Sequence, residues 1–126
     1  MQMIDAGTSG AFAIAPTPFT DEGALDLDAI DRLVDRYLAA GVAGITILGI
    51  MGEATKLLAE ESRTVAERFL ARVDGAVPVV VGASAPGLDP LLARARDAVA
   101  VGAAGVMIAC PAGTKTEAAV EAYMVE

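Results

Sequence analysis

The feature that most constrains this chain is a regular alternation. Short apolar runs, each four or five residues long, are separated by stretches with apolar residues at helical spacing. An apolar run without polar alternation is a strand covered on both faces, so the pattern predicts βα units and a parallel sheet, an α/β fold. The first run is Ala11 to Ala15, followed by a loop from Pro16 to Gly23. A helix follows, with Asp26 as its cap, Leu27, Ile30, Leu33, Val34, Tyr37 and Leu38 on one face, and Gly41 at its end. The second run, Gly44 to Leu48, leads through the loop Gly49 to Lys56 into a helix carrying Val65, Phe69, Leu70 and Val73 and ending at Gly75. Val77 to Val81 is the third strand, and Asp89 and Pro90 read as the cap and first turn of a helix bearing Leu92, Ala95 and Val99. Gly105 to Ala109 is the fourth strand, and a last helix opens at Thr116 and runs through Tyr123 and Met124 to Glu126 with no stop signal. The segment GVAGITILG from Gly41 echoes in GAAGVMIAC from Gly102, two βα units later. Four units of about 30 residues suggest half of an eightfold βα barrel, which needs about 250 residues when complete. A small doubly wound open sheet is the alternative that periodicity leaves standing.

Composition narrows the function. The chain has 126 residues, a length for one domain or part of one, and no boundary divides it. Seventeen acidic residues against nine basic ones give a net charge of −8, which repels phosphate backbones and anionic membranes, so no nucleic-acid or membrane partner is expected. The longest uncharged stretch, Ala98 to Thr114, is broken by glycines and a proline and is too short to span a bilayer. The first ten residues hold no basic residue and no apolar core of a signal sequence, and Cys110 is the only cysteine; both fit a cytoplasmic, reducing location. With no histidine, Ser-His and Cys-His nucleophiles and histidine metal sites are excluded. No metal or cofactor is expected.

The sharpest motif is LGIMGEATKLLAEES, from Leu48 to Ser62. A glycine-flanked turn at the carboxyl end of a strand can aim consecutive backbone N–H groups into a pocket and cradle a carboxylate. This stretch, with APTPFTDEGALDLDAI from Ala15, AAGVAGITILG from Ala39 and VPVVVGAS from Val77, resembles the dihydrodipicolinate synthase and N-acetylneuraminate lyase family over nearly the whole chain. The resemblance implies a TIM (β/α)8 barrel, of which residues 1–126 form the N-terminal half of a single domain with about the first four βα units. It also implies a homo-oligomer, dimer or tetramer, and a lyase or aldolase that joins a lysine to a 2-oxo acid as a Schiff base. By the same resemblance the loop Gly49, Ile50, Met51 and Gly52 binds the substrate carboxylate, Thr17 lines the pocket floor, and Glu53 braces the loop.

Three departures accompany it. The two hydroxyl residues that the family carries in this loop are replaced by Ile50 and Met51, so only the amides of Ile50, Met51 and Gly52 remain. Each hydrogen bond to a charged group that is lost costs about 1.5–3 kcal/mol, which counts against pyruvate itself and leaves a carboxylate ligand with an apolar flank open. After the fourth strand, where the family has a proton-relaying tyrosine, the chain has Pro111, Ala112 and Gly113. The Schiff-base lysine belongs to the sixth strand, so this chain holds no catalytic residue, and a fragment inactive alone is expected. Lys56 and Lys115 lie in loops and read as surface lysines, Cys110 as a small buried hydrophobe, and Tyr37 and Tyr123 as packing residues. The alternatives are an autonomous half-barrel that dimerises, or a family member turned non-catalytic carboxylate binder.

Overall fold

A computed structural model describes residues 3–125. Four strands, β1 (Phe12–Ile14), β2 (Gly44–Ile47), β3 (Val79–Gly82) and β4 (Gly105–Met107), alternate with four helices, α1 (Leu27–Ala39), α2 (Ala59–Val73), α3 (Leu88–Ala100) and α4 (Glu117–Val125). All strands are parallel and their spatial order is β1-β2-β3-β4, the order of the sequence. Doubly wound sheets reverse direction at a switch point and carry helices on both faces. Here the strands advance in one direction, and the open-sheet alternative is set aside in favour of the first four βα units of a TIM barrel.

Register sorts the side chains. Ala15, Ile45, Ile47, Val79 and Val81 share the face packed against Ile30 and Val34 of α1, Val65, Phe69 and Val73 of α2, and Ala98 of α3, which together make the core. Phe12, Ile14, Thr46, Val80 and Met107 lie on the opposite, helix-free face, where Ile14 is 55% and Met107 40% exposed. Gly44 lies opposite Phe12, whose ring fills the space a side chain at 44 would need. The segment before β1 is tied in by Ile4, whose N–H donates to the Ala104 carbonyl at 3.0 Å.

The helices follow their capping chemistry. Asp26 accepts from the Ala29 amide at 2.9 Å and starts α1 as expected. Glu61 reaches back to the Leu58 amide at 2.8 Å and starts α2. Between these helices Arg68 grips Asp31 and Arg72 grips Asp35, each through two nitrogens at 2.6–2.8 Å.

Helix α3 departs from the sequence reading. It begins one turn position earlier, with Gly87 and not Asp89 as its cap, and Pro90 falls inside the first turn, where no amide is missed. Its buried face is Leu91 and Ala98, while the anticipated Leu92 and Val99 are 38% and 48% exposed. Adjacent leucines at 91 and 92 allow two helical phases, and packing against β4 and α2 selects the other one. The strands are also shorter than their apolar runs: the ladder starts at Val79, after Pro78, which has no N–H and serves only as acceptor for Ile45 at 3.0 Å. The final helix opens at Glu117 and is described to Val125; Glu126 lies outside the described residues. Among the described residues no helix is long and apolar enough to cross a membrane.

Candidate active site at the carboxyl end of the second strand

The segment Leu48–Glu53 leaves β2 through a tight, strained turn. Leu48 (φ 56°) and Glu53 (φ 55°) both occupy the left-handed region, which a residue with a side chain adopts at a cost of about 1–3 kcal/mol. Neighbouring structure holds them there. The Leu48 carbonyl passes directly over Gly82 of β3, in the space that any side chain at 82 would fill. Gly52 folds back until a Cβ on it would lie 2.8 Å from the Leu48 nitrogen. Buried Thr17, from the loop after β1, donates its hydroxyl to the Gly52 carbonyl at 2.6 Å. The Glu53 amide closes the turn on the Ile50 carbonyl at 3.0 Å.

Ile50 and Met51 stand exposed at the turn, whereas Gly52 is buried beneath it. Among the described residues no acceptor is found for the N–H groups of Ile50, Met51 and Gly52. The side chain of Ile50 is 98% exposed and that of Met51 57%. The Met107 side chain, from β4, ends against Gly49, with its Cε 2.9 Å from where a Cβ on that glycine would stand. Glu53 binds Lys56 at 2.6 Å across the 3-10 turn Ala54–Lys56, so the lysine is an ion-pair partner inside the loop.

The structure thus brings Thr17, Gly49, Ile50, Met51, Gly52 and Glu53 into one place, at the carboxyl ends of β1 and β2. It leaves the other candidates elsewhere. Cys110 is half-buried and Lys115 exposed in the loop after β4, where Pro111 accepts from the Thr114 amide at 2.9 Å and Ala112 and Gly113 offer no side-chain donor. Tyr37 packs against the core on the helix side, where burial raises its phenol above the ordinary value. Tyr123 is half-buried and its hydroxyl donates to the Ala85 carbonyl at 3.2 Å, a contact beyond packing.

Three residues that sequence reasoning passed over also shape this end of the sheet. Ser84 accepts from the Ala109 amide at 2.8 Å and joins the loops after β3 and β4. Arg94 donates to the Ser84 carbonyl at 2.6 Å. Thr46 sits in β2 on the helix-free face, opposite Ile14 and Val80, and is buried. Only its alternation with Ile45 and Ile47 signals that it points away from the helices. Between α2, α3 and the underside of the loop lies a cavity of about 60 Å³, lined by Leu48, Ala66, Val81 and Ala98 among others. Ligand sites occupy about 300–1,000 Å³, well above this space.

Comparison with known proteins places this arrangement. A family model described as the dihydrodipicolinate synthetase family matches residues 7–121. A 4-hydroxy-tetrahydrodipicolinate synthase of Sorangium cellulosum is 40% identical over 104 residues, covering 82% of this chain and 35% of the relative. The crystal structure of a dihydrodipicolinate synthase from Rhodopseudomonas palustris superposes with a TM-score of 0.94 at 45% identity, over 99% of this chain and 41% of that one. YagE, a prophage protein of the dihydrodipicolinic acid synthase family from E. coli K12 solved in complex with pyruvate, gives a TM-score of 0.86 at 30% identity, over 95% of this chain and 41% of that one. The chain therefore spans about a third of the length of the curated relatives it matches.

Proposed function

The chain belongs to the dihydrodipicolinate synthetase family, and from that premise we propose that it supplies the carboxylate-holding part of a lyase or aldolase acting on a 2-oxo acid. The observation that carries this reading is the strained Leu48–Glu53 turn, whose consecutive amides at Ile50, Met51 and Gly52 have no acceptor among the described residues. Strain held in place by neighbours is typical of binding and catalytic loops. Consecutive backbone N–H groups left without an internal acceptor in a turn held by its neighbours form an anion site that needs little reorganisation on binding. YagE, solved with pyruvate, is a relative in which the fold meets a 2-oxo acid.

In this reading the carboxylate rests on the three amides and the adjacent ketone is turned toward the barrel interior. A lysine amine adds to the ketone carbon and water leaves, giving the Schiff base through which a neighbouring carbon–carbon or carbon–oxygen bond is made or broken. That lysine is neither of the two in the chain: Lys56 is neutralised by Glu53, and Lys115 is exposed in a loop. Thr17 and Glu53 brace the loop, and neither touches the reacting atoms. Borohydride reduction in the presence of a 2-oxo acid tests this assignment. No covalent adduct is expected on this chain, and an adduct on Lys56 or Lys115 would refute it.

A second reading is favoured by the helix-free face, where Ile14 and Met107 are exposed. Two copies that meet there would close a twofold barrel of eight strands, covering these side chains and pairing the edges at β1 and β4. Light scattering decides it: a discrete dimer that binds carboxylates without turnover supports it, and a stable monomer removes it.

A further inference from the structure

We infer that the carboxylate site, taken as proposed above, accepts 2-oxo acids bearing a bulky apolar substituent in preference to pyruvate, with Ile50, Met51 and Met107 as the specificity-determining residues. Any anion held by the amides of 50–52 lies beside the side chains of those same residues, and Ile50 is 98% and Met51 57% exposed. These side chains are not displaced core residues: the left-handed backbone at Leu48 and Glu53, the Gly82 crossing and the Thr17 hydrogen bond fix the turn from both ends. Met107, 40% exposed on the helix-free face with its terminal methyl against Gly49, extends the apolar surface from the loop to β4.

The polar side chains at the turn, Thr17, Glu53 and Lys56, are already committed. The Thr17 hydroxyl donates to the Gly52 carbonyl, and Glu53 and Lys56 neutralise each other. Ala112 and Gly113 follow β4 without a polar side chain. A small hydrophilic 2-oxo acid would find amides for its carboxylate and apolar surface for the rest. An apolar substituent laid over Ile50, Met51 and Met107 removes that surface from water together with its own, so the same amides hold the larger acid more tightly. One methylene in an apolar pocket discriminates by roughly 10–200-fold, and a phenylethyl group exceeds that contact.

Titration calorimetry of the protein with pyruvate, 2-oxo-4-phenylbutanoate and 4-phenyl-2-butanone tests the inference. The phenyl-bearing acid is expected to bind at least about tenfold more tightly than pyruvate, and the ketone, which lacks the carboxylate, to bind far more weakly than the acid. Replacing both exposed residues, Ile50→Thr with Met51→Thr, is expected to bring the two acids within about threefold of each other without unfolding the chain, because neither side chain is in the core. Equal affinity of the original protein for both acids, or a preference unchanged by the double substitution, would overturn the inference and leave the carboxylate site standing. Equal binding of the ketone and the phenyl-bearing acid, or binding of neither acid, would remove the carboxylate reading itself and the inference with it.

Discussion

At the level of single residues, the site depends on backbone crowding more than on side-chain chemistry. Gly82 is required because the Leu48 carbonyl occupies its side-chain space. Gly82→Ala must push either β3 or the loop aside, and a loss of about 1–3 kcal/mol in denaturant unfolding is expected. Thr17→Val keeps the shape and removes the donor to the Gly52 carbonyl. It should lower stability by about 1–3 kcal/mol and weaken 2-oxo acid binding by releasing the turn. The glycine-flanked loop itself was legible in the sequence, because Gly49 and Gly52 bracket a strand end. The Thr17 bond was not, since the partners are 35 residues apart and meet only once β1 and β2 pair. Tyr37 gives a pH prediction at the same scale. Burial raises its phenol, so the unfolded chain ionises first. Stability from this group is complete below the ordinary value of about 10 and falls as pH rises from there through the folded pKa. Urea unfolding of the Tyr37→Phe variant between pH 9 and 11 should show a shallower decline than that of the original chain.

Between elements, two bidentate ion pairs fasten α1 to α2 and differ in how wet they are. The Asp31 side chain is 23% exposed and that of Asp35 52%. Asp31→Asn is expected to cost about 1 kcal/mol, more than Asp35→Asn, with the gap widening in high salt as the exposed Asp35 pair is screened and the less exposed Asp31 pair is not. The hydrogen bond from Arg72 holds the Asp35 carboxyl below its ordinary range. Its contribution is therefore present above about pH 4 and lost as pH falls through the lower, folded value. An acid titration of stability in which Asp35→Asn changes nothing would contradict this pairing. Helices α1 and α2 were readable because a capping residue and a single apolar stripe agree. In α3 the stripe is ambiguous: Leu91 and Leu92 compete, Asp89 resembles a cap, and only packing against β4 and α2 decides for Gly87 and Leu91.

For the molecule as a whole, alternating runs and helical stretches fixed the α/β class and the order of units, whereas the choice between open sheet and barrel needed the strand order and the placement of helices. Sequence periodicity cannot carry that information, since a strand buried on both faces looks alike in either architecture. The proposed carboxylate site is likewise a property of the assembled sheet: β2 supplies the loop, the loop after β1 supplies Thr17, β3 supplies Gly82 and β4 Met107, and they meet at the carboxyl end of the sheet. The most direct test is an amide NMR titration of the chain with a saturating 2-oxo acid. The account predicts that the resonances of Ile50, Met51 and Gly52 move together and that Thr17→Val weakens the response. Shifts confined to the loop around Cys110 and Lys115, or none at all, would contradict it.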